Sequence, residues 1–396
     1  MKDTQIKKLI QKETKRQKNV VNLIASENYV SGDVLEALGS SLTNKYAEGY
    51  PGRRYYGGNE VVDDIERLAQ TRALETFKLS EKTWHANVQP LSGSPANMAV
   101  YMALVPHGGK IMGMELSHGG HLTHGHSVSA SGIFWKQVSY GVSEKNERLD
   151  YDALLKQAKK EKPDIIVAGY TAYPRKINWK KWRDIADVCG AYLLVDMSHI
   201  AGLIAGGVHP SPFRYADVVT TTVHKTLRGP RSAIIFAKKD ERDLDKKINK
   251  AVFPGLQGGP HVNQIAATAV ALKEAQSKTF KTYTEQIVKN AHALADELKQ
   301  NGWRVVSGGT DNHLLLVDTW MDGAGIPGDV ASDALEKKGI IVNKNTLPFD
   351  ARKPASPSGI RIGTAAETTR GKKERDMKHI AQRIDHILKN THGNKS

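Results

Sequence analysis

From about residue 60 to 275 the chain alternates short apolar runs with stretches whose apolar residues recur at helical spacing. Residues 86–91, 164–169, 191–195, 217–223 and 233–237 are runs of strand length. Residues 179–188 read as a helix that stops at Gly190, a residue suited to a helix C-terminus. Apolar strands separated by helices predict a mostly parallel sheet covered on both faces. After residue 275 the pattern changes. Tyr283, Ile287, Ala291, Leu294 and Leu298 mark one helix, closed by Asn301-Gly302. Strands near 304–306 and 313–318, a helix at 329–338, a strand at 359–362 and an amphipathic helix over 372–390 follow. The expected organisation is a helical arm without its own core (1–45), a large α/β domain (46–275) and a smaller C-terminal α/β domain (276–396).

Bulk properties narrow the class without naming a function. The 396 residues are 39% hydrophobic and 25% charged, ordinary values for a globular protein. No apolar run approaches the roughly 20 residues of a bilayer span. The first residues lack the apolar stretch of a secretory signal, and Cys189 is the only cysteine; both point to the cytoplasm. The net charge of +15 raises nucleic acid as a partner, but its distribution argues against one. Residues 1–20 carry seven Lys/Arg against two acids, and residues 371–396 seven against three. These ends lack interleaved aromatics and read as solvated helix faces.

Chemistry first shows at two consecutive strand ends. Asp196 closes the run 191–195, and Lys225 follows 217–223. Ligands of open α/β sheets bind beyond the carboxyl ends of strands. An amine and an acid placed there suit pyridoxal phosphate, which needs a lysine to form an imine and a carboxylate to keep its ring nitrogen protonated. Ser92-Gly93-Ser94-Pro95 opens a helix after residues 86–91, and small residues at a helix N-terminus form a phosphate cradle. His118, His121, His124 and His126 crowd one glycine-rich stretch. With no neighbouring cysteine and no HExxH helix they do not read as a metal site, so no metal is expected. Residues 46–58, dense in Tyr, Gly and Arg, suit a binding loop, and Glu48 within it could move a proton. Arg361 could bind a carboxylate through two parallel hydrogen bonds.

These segments together resemble serine hydroxymethyltransferase from about Asn22 to Gly371. The blocks that carry the resemblance begin with Ile24-Ala25-Ser26-Glu27-Asn28-Tyr29, the 46–58 loop, Ser92-Gly93-Ser94 and the histidine stretch from His118 to Gly125. They continue with residues 195–202, Thr220-Thr221-Thr222-Val223-His224-Lys225, Phe253-Pro254-Gly255 through Pro260, residues 342–345 and residues 358–364. The resemblance implies a fold-type I pyridoxal phosphate enzyme with a mixed, mostly parallel seven-stranded sheet. It would interconvert serine and glycine with tetrahydrofolate as one-carbon carrier.

By the same resemblance Lys225 is the Schiff-base lysine, Asp196 the ring-nitrogen partner and His121 the stacking ring, with His199 near the phenolic oxygen. Ser92, Gly93 and Ser94 hold the phosphate, Thr171 adds a cofactor contact, and Gly259 comes from a neighbouring subunit. Ser26, His199 and Arg361 surround the amino acid. Glu48 transfers the proton, His224 belongs to the catalytic set, and Tyr46 and Tyr56 reach across a subunit interface. Leu116, Gly119, Gly120, Leu122 and Asn345 line the folate site. A homodimer or tetramer with shared sites is implied.

Three places depart from the family pattern: Val223 for a threonine, Ser232-Ala233 for two glycines, and Ala365-Ala366-Glu367 for a segment that usually carries proline. Two rival functions are a folate-independent aldolase of 3-hydroxy amino acids and a basic RNA-binding module. The match at Glu48 and the folate-lining positions speaks against the first. The presence of Lys225, Asp196, His121 and Arg361 together speaks against the second.

Overall fold

The computed structural model describes residues 1–393; positions 394–396, the end of the C-terminal basic stretch, lie outside the described residues. The chain forms two compact units, Asn28–Gln286 and Met1–Glu27 with Ile287–Ser396. The divisions at 45 and 275 mark changes of sequence character, whereas the compact units divide at 27/28 and 286/287.

Unit Asn28–Gln286 is built on a seven-stranded sheet. Across it the strands are Trp84–Asn87, Ala233–Lys238, Val218–Thr222, Tyr192–Asp196, Ile165–Ala168, Lys110–Met114 and Lys136–Tyr140. Ala233–Lys238 is antiparallel to both neighbours, and the other pairings are parallel. The sheet is therefore mixed and mostly parallel. Alternate residues point to opposite faces, and both sets are buried. Ile165, Val167, Leu194 and Ile235 pack with Ala96, Ala99 and Val100 of the helix Gly93–Leu104. Ile166, Leu193, Val219 and Phe236 on the other face are equally buried. Burial of this kind accounts for the unbroken apolar runs in the sequence.

One expected strand is shorter than its apolar run. Trp84–Asn87 is extended and paired, but 88–91 leaves the ladder. Pro90 has no N–H to donate to a ladder, and the Asn87 side chain accepts a bond from the Gln89 N–H instead. Val88 remains buried, so the run records burial rather than strand.

The other unit has a four-stranded antiparallel sheet in the order Arg304–Val305, Leu314–Asp318, Gly359–Gly363, Asn343–Asn345. Its core joins Leu294 and Leu298 to Leu315, Val317, Ile360 and Ile362, and to Ile380 and Ile384 of the last helix. Leu23 is fully buried in the same core, and Val21–Asn22 pairs in parallel with Ile340–Ile341. That pairing explains why residues up to Glu27 group with the C-terminal segment. The helix Thr4–Asn19 is capped by Asp3 and buries none of its residues.

The family departures occupy structural positions. Val223 is fully buried, its N–H donating to the Ser232 carbonyl and its own carbonyl accepting from Gly229. The Ser232 hydroxyl shares a 2.7 Å bond with Thr268, and both residues are buried. Glu367 is buried and accepts from the Asn22 N–H at 2.9 Å and from Arg370.

Candidate active site

The strands parallel to Val218–Thr222 all end at one edge of the sheet, and a cavity of about 170 Å³ opens there. Nine of the residues expected to hold cofactor or act on it line this cavity: Ser92, Gly93, Ser94, His121, Thr171, Asp196, His199, His224 and Lys225. Lys225 stands three residues past Val218–Thr222, and its Nζ donates to Thr222 Oγ1 at 2.9 Å. A short chain of bonds links it to Asp196. The Thr222 N–H donates to Ser198 Oγ at 3.0 Å, and Ser198 Oγ donates to Asp196 Oδ1 at 2.5 Å.

Asp196 is ringed by donors. Burial alone would raise its pKa. Bonds from His124, Ser198 and Asn97, with the attraction of His124, reverse this and hold the carboxyl far below its usual range. Asn97 Nδ2 reaches Oδ2 at 3.0 Å and His124 Nε2 at 3.2 Å. The His121 N–H donates to His124 Nδ1, which leaves Nε2 to carry the proton toward Asp196. Asn97 is locked in turn, its Oδ1 accepting from Thr220 and its Nδ2 also donating to Thr123. His121 Nδ1 accepts from the Thr123 N–H at 3.1 Å, which fixes the ring's orientation.

The end of the cavity expected to take a phosphate is the start of Gly93–Leu104. The first N–H groups of a helix have no partner within it, and the Ser92 side chain makes no capping bond to them. A Cβ at Gly93 would meet Thr222 Cγ2 at 2.7 Å, so only glycine allows this approach of helix and strand end. Gly169, at φ +148°, lets the backbone pass against the Asp196 carbonyl, which a Cβ would strike at 2.0 Å. His224 is held neutral by burial first and then by the charges of Lys225 and Arg231, its pKa lowered to about 3. An amine, a permanently ionised carboxylate and a row of helix amides together suit a cofactor with an aldehyde, a basic ring nitrogen and a phosphate. Among the described residues no three His, Cys, Asp or Glu side chains form a metal-ligating group.

A second cluster of expected residues lies in the same unit but does not line the cavity. Tyr46 donates to Glu48 Oε1 at 3.2 Å, and its ring meets Tyr56 edge-on at 5.0 Å. Gly258 and Gly259 pass beside Glu48 and the Tyr46 ring, at 3.4 and 3.6 Å from their ideal Cβ positions. Tyr46 and Tyr56 are exposed and Glu48 is half-buried. A hairpin supports the cluster: Gly49–Tyr50 pairs with Arg53–Arg54. Arg54 is a structural residue of that hairpin, its buried guanidinium bonding Asp63 at 2.8 Å and Glu66 at 2.6 Å.

The expected folate loop is tied to the cavity wall. The Thr171 N–H donates to the Gly119 carbonyl at 2.8 Å and the Thr171 hydroxyl to the Gly120 carbonyl at 2.7 Å. Leu116 and Leu122 on this loop are 40% and 43% exposed, high for leucine. Ser26, Asn345 and Arg361 belong to the other compact unit. There Arg361 Nε donates to Asn343 Oδ1 at 3.1 Å, and desolvation lowers its pKa to about 10, so it stays charged at neutral pH.

Sequence reasoning missed Asn97, His124, Ser198, Thr222 and Arg231, all in the cavity wall. Ser198, two residues past Asp196, carried the best available signal, as a polar residue closing the turn after a strand-end acid. His124 stood in a noticed histidine stretch, but nothing in its spacing separated it from loop histidines.

Comparison with known proteins bears on the whole chain. A family model described as serine hydroxymethyltransferase matches residues 1–384. A curated serine hydroxymethyltransferase from Desulfotalea psychrophila is 54% identical over 388 residues, covering 98% of this chain and 89% of that protein.

Proposed function

The chain belongs to the serine hydroxymethyltransferase family, and on that premise we propose which of its residues carry the reaction. Its activity is the reversible conversion of L-serine and tetrahydrofolate to glycine and 5,10-methylenetetrahydrofolate, with pyridoxal phosphate as cofactor. The observation that carries the assignment of residues is the bond path from Asp196 through Ser198 and Thr222 to Lys225.

Bound in this cavity, pyridoxal phosphate supplies an electron sink that allows the Cα–Cβ bond of serine to break. Lys225 Nζ would hold the cofactor, and Thr222 Oγ1, accepting from that amine at 2.9 Å, orients it. Asp196, ionised throughout the working pH range, holds a proton on the ring nitrogen. The amides of Gly93 and Ser94 and the hydroxyl of Ser92 bind the phosphate. His121, Thr171 and His199, which line the cavity, would contact the cofactor ring, and His224 stays neutral beside Lys225. Arg361, with Ser26, takes the substrate carboxylate. Glu48 moves the proton at the serine hydroxyl, supported by its hydrogen bond from Tyr46 and by Tyr56 beside it. Leu116, Gly119, Gly120, Leu122 and Asn345 receive the folate.

We further propose that Tyr46, Glu48, Tyr56 and Gly259 serve the cavity of a second copy, so that the enzyme is at least a dimer. Their clustering away from their own unit's cavity lining supports this reading. A cytoplasmic location is also proposed, supported by the single cysteine.

The test is spectroscopic and kinetic. Wild-type protein should take up pyridoxal phosphate with a visible band that borohydride abolishes, and Lys225→Ala should lack the borohydride-sensitive band. Glu48→Gln should keep the band and lose folate-dependent serine cleavage. A wild-type protein that binds no cofactor, or a Lys225→Ala protein with an unchanged band, would defeat the assignment.

A further inference from the structure

Lys225 has a backbone as well as an amine, and the backbone is held from outside its own loop. The Lys225 carbonyl accepts from the Arg228 N–H at 3.1 Å, closing a tight turn. It also accepts from Asn28 Nδ2 at 2.9 Å, although Asn28 lies 197 positions away in sequence. Asn28 Nδ2 makes a second bond, 2.7 Å, to the hydroxyl of Tyr283. Its Oδ1 accepts from the Tyr29 N–H, which fixes the remaining end of the amide.

Tyr283 anchors both sides of the turn. Its hydroxyl takes Asn28, while its ring lies 4.3 Å beneath the Arg228 guanidinium. Arg228 is at φ +57°, a left-handed conformation that non-glycine residues adopt only at a cost. Cation–π stacking on the buried Tyr283, with Phe280 5.4 Å away, offsets that strain. Asn28 and Tyr283 also stand close to the points where the chain enters and leaves this unit, at 27/28 and 286/287. Segments remote in sequence thus converge on one carbonyl.

We propose that Asn28 is a positioning residue for Lys225: its amide, held by Tyr283, fixes the Lys225 carbonyl and with it the direction in which the lysine side chain leaves the backbone. The proposal rests on the reading of Lys225 as the cofactor lysine. An amine that must leave the cofactor and find it again gains rate from a fixed origin, because a small misplacement of reacting groups costs rate even when binding is intact. Asn28 touches neither substrate nor cofactor in this account; it acts through the Lys225 backbone.

The holoenzyme variants Asn28→Ala and Tyr283→Phe test this, with Asn290→Ala as a matched control. Asn290 is buried where Asn28 is half-buried, and its Nδ2 likewise bridges a hydroxyl, of Thr368, and a carbonyl, of Lys372, in the other unit. The readout is the stopped-flow rate at which saturating glycine displaces the lysine amine, followed in the visible band, alongside the thermal midpoint. Asn28→Ala should slow displacement by about fivefold at saturating glycine with the half-saturating concentration unchanged, the effect of losing one net neutral hydrogen bond. Tyr283→Phe, which keeps the ring under Arg228, should slow it in the same sense by less. Asn290→Ala should lower the thermal midpoint and leave the rate alone. If Asn28→Ala matches Asn290→Ala, losing stability without slowing, the proposal is wrong. Should Asn28→Ala fail to fold, a wild-type rate in Tyr283→Phe overturns it. Failure of the underlying reading is separable, because a wild-type band insensitive to borohydride indicts Lys225 itself.

Discussion

At the scale of residues, the cavity works through protonation states set by neighbours rather than by intrinsic pKa. Asp196 is surrounded by donors, so its charge is fixed by geometry. Asp196→Asn keeps the shape and removes the charge; kcat should fall by roughly two to three orders of magnitude, the scale found when one preorganised electrostatic group is removed, while the protein still folds and binds cofactor. Loss of less than tenfold in a steady-state assay would argue against the ring-nitrogen role. His224 makes a pH prediction. Its folded pKa, about 3, lies below the usual histidine value of about 6.5. Between those values the unfolded chain binds a proton that the folded one does not, so stability falls as pH drops below about 6.5. His224→Asn should flatten the decline of the thermal midpoint between pH 6.5 and 4.5, measured by calorimetry; an equally steep decline would place the acid sensitivity elsewhere.

Elements show where patterning suffices and where it does not. The fully buried strands were legible because their buried residues are apolar, as throughout Ile165–Ala168 and at Leu193, Leu194 and Val195 of Tyr192–Asp196. The 88–91 stretch was not, because burial leaves the same trace in sequence where the strand ladder has ended. The hairpin Gly49–Tyr50/Arg53–Arg54 shows a different limit. Composition marked it as a binding loop, yet Arg54 within it serves a buried ion-pair cluster with Asp63 and Glu66. Arg54→Leu would leave the buried Glu66 without its counter-ion and Asp63 with only the exposed Arg67. It should destabilise the protein by about 3–5 kcal/mol, the usual cost of breaking one side of a buried pair, as read by urea unfolding. A loss below 1 kcal/mol would mean the cluster is solvated.

For the whole molecule, the question is how many chains make one site. If Glu48 serves the cavity of another copy, then Lys225→Ala and Glu48→Gln are defects in different halves of a shared site. Two inactive proteins, unfolded and refolded together, should regain activity, up to about a quarter of wild type for random pairing in a symmetric dimer. No recovery in the mixture, with both variants separately folded, would count against sharing. The +15 net charge belongs to this scale too. The basic helix Thr4–Asn19 buries no residue, in keeping with its reading as a solvated face.

What the sequence determined by itself was chemistry carried by residue type. Lysine and aspartate at two strand ends, small residues before a helix, and apolar runs of strand length are local, and each states its need in the chain. Tertiary structure decided what depends on distance between remote segments. It brought His124, Asn97 and Ser198 to Asp196, made Arg54 a structural cation, and set Asn28 and Tyr283 on the Lys225 carbonyl. A hydrogen-bond partner some two hundred residues away leaves no periodicity or composition to read; only the packing of the segments makes the pair exist.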